Sequence, residues 1–284
     1  MKPALFDYHA PTTVDDVVTL LQRHGNDTRL LAGGQTLIPM MNFRLATPDV
    51  VIDLNRVAEL SYIKLEDGFV RFGAMTRQRA IEFSPIVDTE LPLLHKAIRH
   101  VGHLPTRSRG TIGGSIANAD AAAEIPMVLQ ALGGAVRVRG PGGDRTISAS
   151  DLFVDAMGTS LAADEVLTEV RLPAMPKGAR CAVEEFSRRR GDFAIGAIAV
   201  MIVQTDGLCR QARIATAGIS TSPRRLMEAE AALEGHTVDD ASIKRAAEAA
   251  IEAVEPLSDR NASADFRRHL TKVLTERALR TAMA

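Results

Sequence analysis

Two stretches of this chain place a Gly-Gly pair just before a small hydroxyl or amide residue and then an apolar run able to enter a helical turn. The first is Ala32-Gly33-Gly34-Gln35-Thr36 followed by Leu37-Ile38-Pro39-Met40-Met41, and the second is Thr111-Ile112-Gly113-Gly114-Ser115. Such loops constrain a fold because glycine lets the backbone pass close to a ligand and expose successive N–H groups. A hydroxyl and a helix start behind the loop complete a phosphate cradle, in which each charge-assisted hydrogen bond is worth about 1.5–3 kcal/mol. Two cradles suit a pyrophosphate better than a single phosphate. A plain tight turn is the competing reading for both loops. It is the reading taken for Gly133-Gly134, at a helix end, and for Gly142-Gly143, in a hairpin. The chain contains neither G-x-G-x-x-G nor G-x-x-x-x-G-K-[ST], so the Rossmann and P-loop readings fail.

Around the first loop the pattern is helix, strand, glycine loop, helical turn, strand. Thr13 caps a helix whose face is Val14, Val17, Val18 and Leu21 and which ends at Gly25; strands follow at 29–31 and 50–54. A hairpin turns at Glu66-Asp67-Gly68, with helices from Thr76 and near 93–100 leading to the second loop. After it come a helix through 126–132, a hairpin at Pro141-Gly142-Gly143-Asp144 and a strand ending at Leu172-Pro173. Residues 173–178 read as a linker. Beyond it stand three strands, at 182–187, 195–204 and 212–218, and three helices starting near Ser222-Pro223, Asp239 and Ser263. The last helix puts Phe266, Leu270, Val273 and Leu274 on one face, which is core spacing. The resulting division is 1–57, 58–176 and 177–284, an α+β organisation in three parts.

Composition narrows the function. With 34 Lys+Arg against 35 Asp+Glu, no global field draws the chain to nucleic acid or to an acidic membrane. Aromatic residues make up 4% with no Trp, which argues against a base-stacking platform. The longest apolar run, 193–203, is too short to span a bilayer, and no basic leader precedes an apolar stretch at the N-terminus, so a cytoplasmic protein is expected. Cys181 and Cys209 have no partner at cluster or zinc spacing and read as structural; the chain holds no iron–sulfur cluster by itself. None of the seven histidines pairs at metal-ligand spacing, and His103 is read as a satisfied histidine in preference to a flavin-orienting one.

The segments AGGQTLIPMMNFRLATPDVVIDLNRV (32–57), RSRGTIGGSIANADAAAEIP (107–126) and FSRRRGDFAIGAIAV (186–200) resemble, in this order, the FAD-binding medium subunit of molybdenum hydroxylases. That group includes the flavoproteins of xanthine dehydrogenase, carbon monoxide dehydrogenase and N-heterocycle oxidoreductases. The resemblance covers nearly the whole chain. It implies a two-part FAD-binding domain of the vanillyl-alcohol-oxidase (PCMH) type, followed by a small α+β C-terminal domain with a three-stranded antiparallel sheet. It also implies that non-covalent FAD has its pyrophosphate between Ala32, Gly33, Gly34, Gln35, Thr36 and Leu37 on one side and Thr111, Ile112, Gly113, Gly114 and Ser115 on the other. Asn118 and Glu124 fall at its ribityl and phosphate contacts, Leu161 at its ring system, and Asp192 with Phe193 beside the isoalloxazine. Gln35 stands where many relatives carry His, and Glu124 where many carry Asp; each keeps a hydrogen-bonding group.

By the same resemblance the partners are a molybdenum-binding large subunit and a small subunit with [2Fe-2S] clusters, assembled as a dimer of heterotrimers. FAD relays electrons from the clusters to an external acceptor, and no catalytic residue is expected in this chain. Gly102-His103 ahead of Arg107-Ser108-Arg109 favours the N-heterocycle branch. Arg107 and Arg109 face either an anion or solvent, and Arg188-Arg189-Arg190 is read as a solvated edge. The rivals are an independent FAD-dependent reductase or oxidase of the same fold, and a non-enzymatic module binding another diphosphate.

Overall fold

The computed structural model describes residues 2–284. Near its N-terminus, β1 (Asp7–His9), α1 (Val14–His24), β2 (Thr28–Leu31), α2 (Leu37–Asn42) and β3 (Val50–Asp53) form a parallel sheet in the order β1-β3-β2. Parallel strands need crossovers, and α1 and α2 supply them. α1 starts where the Thr13 hydroxyl accepts the N–H of Asp16, buries Val14, Val17, Val18 and Leu21, and stops at Gly25 with φ 68°. The first glycine loop is the tight link between β2 and α2.

β4 (Ile63–Glu66) and β5 (Phe69–Gly73) form the expected hairpin, with Asp67 and Gly68 both in the left-handed region that a two-residue turn requires. Six short helices follow: α3 (Gln78–Glu82), α4 (Pro85–Glu90), α5 (Pro92–Ala97), α6 (Leu104–Arg109), α7 (Ile112–Asn118) and α8 (Glu124–Leu132). The chain continues through β6 (Ala135–Gly140), β7 (Gly143–Ser148), α9 (Ala149–Leu152), β8 (Phe153–Asp155), β9 (Gly158–Thr159) and β10 (Val166–Pro173). An antiparallel sheet in the order β4-β5-β10-β6-β7 results, and its Phe72, Val136, Val138 and Val170 are wholly buried.

The remainder is β11 (Arg180–Phe186), β12 (Gly196–Thr205), β13 (Leu208–Ala217), β14 (Arg224–Arg225), α10 (Met227–Ala231), α11 (Asp240–Glu252) and α12 (Ala264–Met283). Side-chain alternation splits β12 between two cores. Ile198, Val200 and Ile202 pack under α10, α11 and α12, while Ala197, Ala199 and Met201 join the core around α5 and α8. The C-terminal sheet has four strands where three were expected: Arg224 and Arg225 pair with Thr216 and Ala215, so the helix expected from Ser222-Pro223 begins only at Met227. On α12 the buried face holds Leu270, Leu274, Ala278 and Leu279 together with Arg267, Thr271 and Thr275. Phe266 lies at the margin, edge-on to Phe186 at 5.7 Å. Cys181 and Cys209 are buried and unpaired, and burial pushes both thiols up, Cys209 to about 11.

Candidate cofactor-binding site

The two glycine loops meet, and each pair has a different structural reason. A Cβ at Gly33 would stand 2.5 Å from the Arg109 carbonyl oxygen and 2.8 Å from the Gly110 Cα, so the first loop touches the backbone leading into the second. Gly34 sits at φ +73°. A Cβ at Gly113 would stand 2.6 Å from the Ala74 Cβ, and one at Gly114 would stand 3.3 Å from the Ala32 Cβ. Arg77 ties the loops from behind: its guanidinium donates to the Arg109 carbonyl and to Asn55 Oδ1, while Asn55 Nδ2 donates to the Ala32 carbonyl at 3.1 Å. Neither Arg77 nor Asn55 belongs to a glycine motif, so no sequence signal singled them out.

The loops differ in what they offer an anion. Among the described residues, the backbone N–H groups of Gly33, Gly34, Gln35 and Thr36 meet no protein acceptor, and α2 begins without a side-chain cap. In the second loop the N–H groups are spent: Ile112 donates to the Thr76 carbonyl, Gly113 to the Ala74 carbonyl, Gly114 to Thr111 Oγ1 and Ser115 to the Thr111 carbonyl. The symmetric pair of cradles read from the sequence is therefore one set of free donors facing a backbone platform. The platform contributes the Ser115 hydroxyl and, at Gly114, a close approach to Ala32 of the first loop.

A cavity of ≈ 620 Å³ opens between them, within the range of small-ligand sites. It is lined by Ala32, Gly33, Gly34, Gln35, Thr36, Leu37, Thr111, Gly113, Gly114, Ser115, Asn118, Glu124, Leu161, Asp192 and Phe193, which are all of the residues singled out above except Ile112. Ile112 is fully buried in the core, because consecutive positions of α7 point about 100° apart and Ile112 faces away from the loop. Leu30, Met40, Met75, Val101 and Leu167 give the cavity apolar walls.

Gln78 lies on the wall with a buried Oε1 that has no partner, an acceptor waiting for a donor. Glu124 begins α8 and is buried. Desolvation, reinforced by the nearby Glu185, pushes its carboxyl up to about 8, so near neutral pH it can donate a hydrogen bond as well as accept one. Free N–H donors and an orphaned amide oxygen along one cavity fit a ligand that carries both phosphate and hydroxyl groups.

Arg107 does not face the cavity. It forms a two-point ion pair with Glu82, 2.9 Å at its shorter contact, and donates to the Val101 and Gly102 carbonyls. Arg188, Arg189 and Arg190 are exposed beyond the end of β11. His103 packs against Gly191, where a Cβ would stand 2.4 Å from its ring. Among the described residues no cluster of His, Cys, Asp or Glu could hold a metal, and no helix is long and apolar enough to cross a membrane.

A parallel α/β unit and an antiparallel-sheet unit clasping a glycine-lined cleft, with an α+β domain behind, define a two-part nucleotide-cofactor protein. Residues 4–175 match the family described as the FAD binding domain in molybdopterin dehydrogenase, and residues 181–282 the CO dehydrogenase flavoprotein C-terminal domain. The chain is 40% identical to the nicotine 6-hydroxylase medium subunit of Paenarthrobacter nicotinovorans, covering 98% of each, and 36% identical to the carbon monoxide dehydrogenase medium chain of Afipia carboxidovorans, covering 100% of this chain and 99% of that one. Its fold superposes on a carbon monoxide dehydrogenase structure from Hydrogenophaga pseudoflava with a TM-score of 0.98 at 38% identity, covering 100% and 99% of the two chains. With quinoline 2-oxidoreductase from Pseudomonas putida 86 the TM-score is 0.94 at 36% identity, covering 99% and 98%. The chain belongs to the FAD-binding medium-subunit family of the molybdenum hydroxylases.

Proposed function

We infer that the cleft between the glycine loops holds FAD non-covalently and that the chain relays electrons within a molybdenum hydroxylase, from the iron–sulfur clusters of a small subunit to an external acceptor. The observation that carries the site is the row of unpaired N–H groups at Gly33 to Thr36 facing the Gly114-Ser115 platform. In this reading those four amides and the Ser115 hydroxyl bind the pyrophosphate, and Asn118, Glu124 and the Gln78 amide oxygen orient the ribityl chain. Leu161, Asp192 and Phe193 border the ring system. FAD supplies the redox chemistry; the chain's own residues bind and orient it and keep water from its edges.

A molybdenum-binding large subunit completes the complex, with two such three-subunit units in the assembly. The change of sheet near 57 and the strand break at 174–179 support the division into 1–57, 58–176 and 177–284. Two buried, unpaired cysteines suit the reducing cytoplasm.

The test is to purify the chain alone and with its genomic neighbours, record the visible spectrum and release the flavin with acid. Bound FAD that acid releases, reduced by an aromatic N-heterocycle only when both partner subunits are present, is the expected result. A chain that alone oxidises NADPH with a substrate of its own would be an independent reductase, and a chain that binds no flavin would sink the reading.

A further inference from the structure

Three carboxyls from three segments converge on one side of the cofactor cleft. Glu124, the first residue of α8, lines the cleft and is 7% exposed, and the charged side chains close to it, Glu185 and Asp120, are both acidic. Asp120 lines the same cleft from the turn before α8, where its Oδ1 accepts the Ala122 N–H at 2.9 Å. That turn is fixed to the C-terminal domain, because the Gly218 N–H donates to the Ala121 carbonyl at 2.6 Å. Glu185 arrives from the C-terminal domain. Strand alternation puts it on the face of β11 that carries Cys181 and Val183, which pack into the core shared with α5 and α8.

No countercharge meets Glu185. Its side chain is 3% exposed, and its Oε2 has no hydrogen-bond partner. His100 Nδ1 stands 3.7 Å from Oε2, too far for a hydrogen bond. Burial and Arg190, against the pull of Glu184, hold His100 below its ordinary range, so near neutral pH it is uncharged. The charges on the other elements packed against α8 are engaged elsewhere or lie in solvent. His95 of α5 pairs with Asp88, while Arg213 of β13 and Arg225 of β14 pair with Glu230. Lys96, Asp151 and Arg224 are exposed. Buried carboxyls without a cation are costly to ionise together, so the group keeps a proton. An ionised Glu124 would also set a negative charge in a cleft that receives a diphosphate.

We propose that Glu185 is a positioning residue for the cofactor: with Asp120 it keeps a proton on Glu124, whose O–H donates a hydrogen bond to FAD, so that FAD affinity is tied to that proton. The proposal rests on the FAD reading of the cleft. Desolvation pushes both glutamates above the ordinary carboxylate range, with Asp120 adding to it at Glu124 and the Ser187 hydroxyl opposing it at Glu185. As pH rises and the pair loses its proton, the donor disappears and a negative charge replaces it, so FAD binding weakens with rising pH.

The test titrates the cofactor-free full chain with FAD between pH 6 and 9, following flavin fluorescence, after melting at pH 6 has shown each variant to be folded. The wild-type Kd should rise about tenfold between pH 7 and pH 9. In Glu185→Gln, which removes the neighbouring charge, the rise should begin about one pH unit lower. Glu124→Gln, whose amide cannot ionise, should show no rise. A wild-type Kd independent of pH overturns the proposal whatever the variants do. So does an unshifted profile in folded Glu185→Gln, and so does a rise that persists in Glu124→Gln, since the linked proton would then belong to another group. A chain that binds FAD at no pH would instead refute the cofactor reading on which the proposal rests.

Discussion

Glu124 is a carboxyl that the fold keeps protonated. Burial dominates, Glu185 adds repulsion, and the carboxyl titrates at about 8 against 4.5 for a solvated glutamate. Glu185 is itself pushed up to about 7 by burial, so the two titrate as a pair. The folded chain therefore keeps a proton that the unfolded chain releases above pH 4.5. Stability is fully present below that pH, falls as pH rises toward 8 and levels off beyond, with a loss on the order of 5 kcal/mol from Glu124. Glu124→Gln should flatten this loss in thermal melts of the cofactor-free protein between pH 5 and 8; an unchanged slope would remove Glu124 as its source. Gly33 makes a steric prediction. Gly33→Ala drives a methyl into the Arg109 carbonyl and should destabilise by about 1–3 kcal/mol with loss of bound FAD, whereas Gly142→Ala, with nothing within 4 Å, should leave both intact. Equal effects of the two alanines on melting and flavin content would show that the loop contact is not what glycine serves. The sequence marked Gly33 as special through its Gly-Gly motif, yet the motif could not reveal that the close neighbour is the protein's own backbone.

At the scale of elements, the cleft depends on how two loops from different sheets are held together. Arg77, at the start of α3, reaches Asn55 after β3 and the backbone of the second loop, and through Asn55 it steadies the Ala32 carbonyl. Arg77→Ala leaves both sheets and their cores in place. It should weaken FAD binding about tenfold, which corresponds to about 1.4 kcal/mol, and move the melting temperature of the cofactor-free chain little. Titration of the cofactor-free protein with FAD checks this, and an unchanged Kd would mean the loops hold their spacing without the tie. Local pattern made some elements plain in advance. α1 could be read from a cap, four apolar positions and a glycine stop, and the β4–β5 turn from Asp-Gly. β14 could not, because two arginines after a proline carry no strand signal; their pairing with β13 is supported by the Arg225–Glu230 ion pair across the following turn. Ile112 stands inside the second glycine motif yet outside the cleft wall, because a motif treats consecutive residues alike while a helix sends them to different faces.

Over the whole molecule, α8 decides whether the parts are separable. Its sequence, EIPMVLQAL, is apolar nearly all round, and every residue but Gln130 is buried, which requires protein on both sides. One side is the β5-β10-β6 sheet; the other is the face of β12 and β13 carrying Ala197, Ala199, Ala215 and Ala217, whose small side chains let the helix approach closely. Residues 1–176 expressed alone would therefore expose several of Ile125, Met127, Val128 and Leu129. At about 1.5–3 kcal/mol per side chain, uncovering three of them costs on the order of 5–9 kcal/mol, which is comparable to the roughly 5–15 kcal/mol that holds a typical domain folded. The fragment should aggregate or bind a hydrophobic dye and retain no FAD, and co-expression with 177–284 should restore both solubility and flavin. Residues 58–284 of the full chain should correspondingly unfold in one transition by circular dichroism and by flavin release, because the core around α8 is shared by the β5-β10-β6 sheet and by β12 and β13. A soluble, monodisperse 1–176 fragment with flavin bound would show that the C-terminal domain is an accessory to the cleft, and that Gly218 and Ala121 meet across a surface the protein can do without.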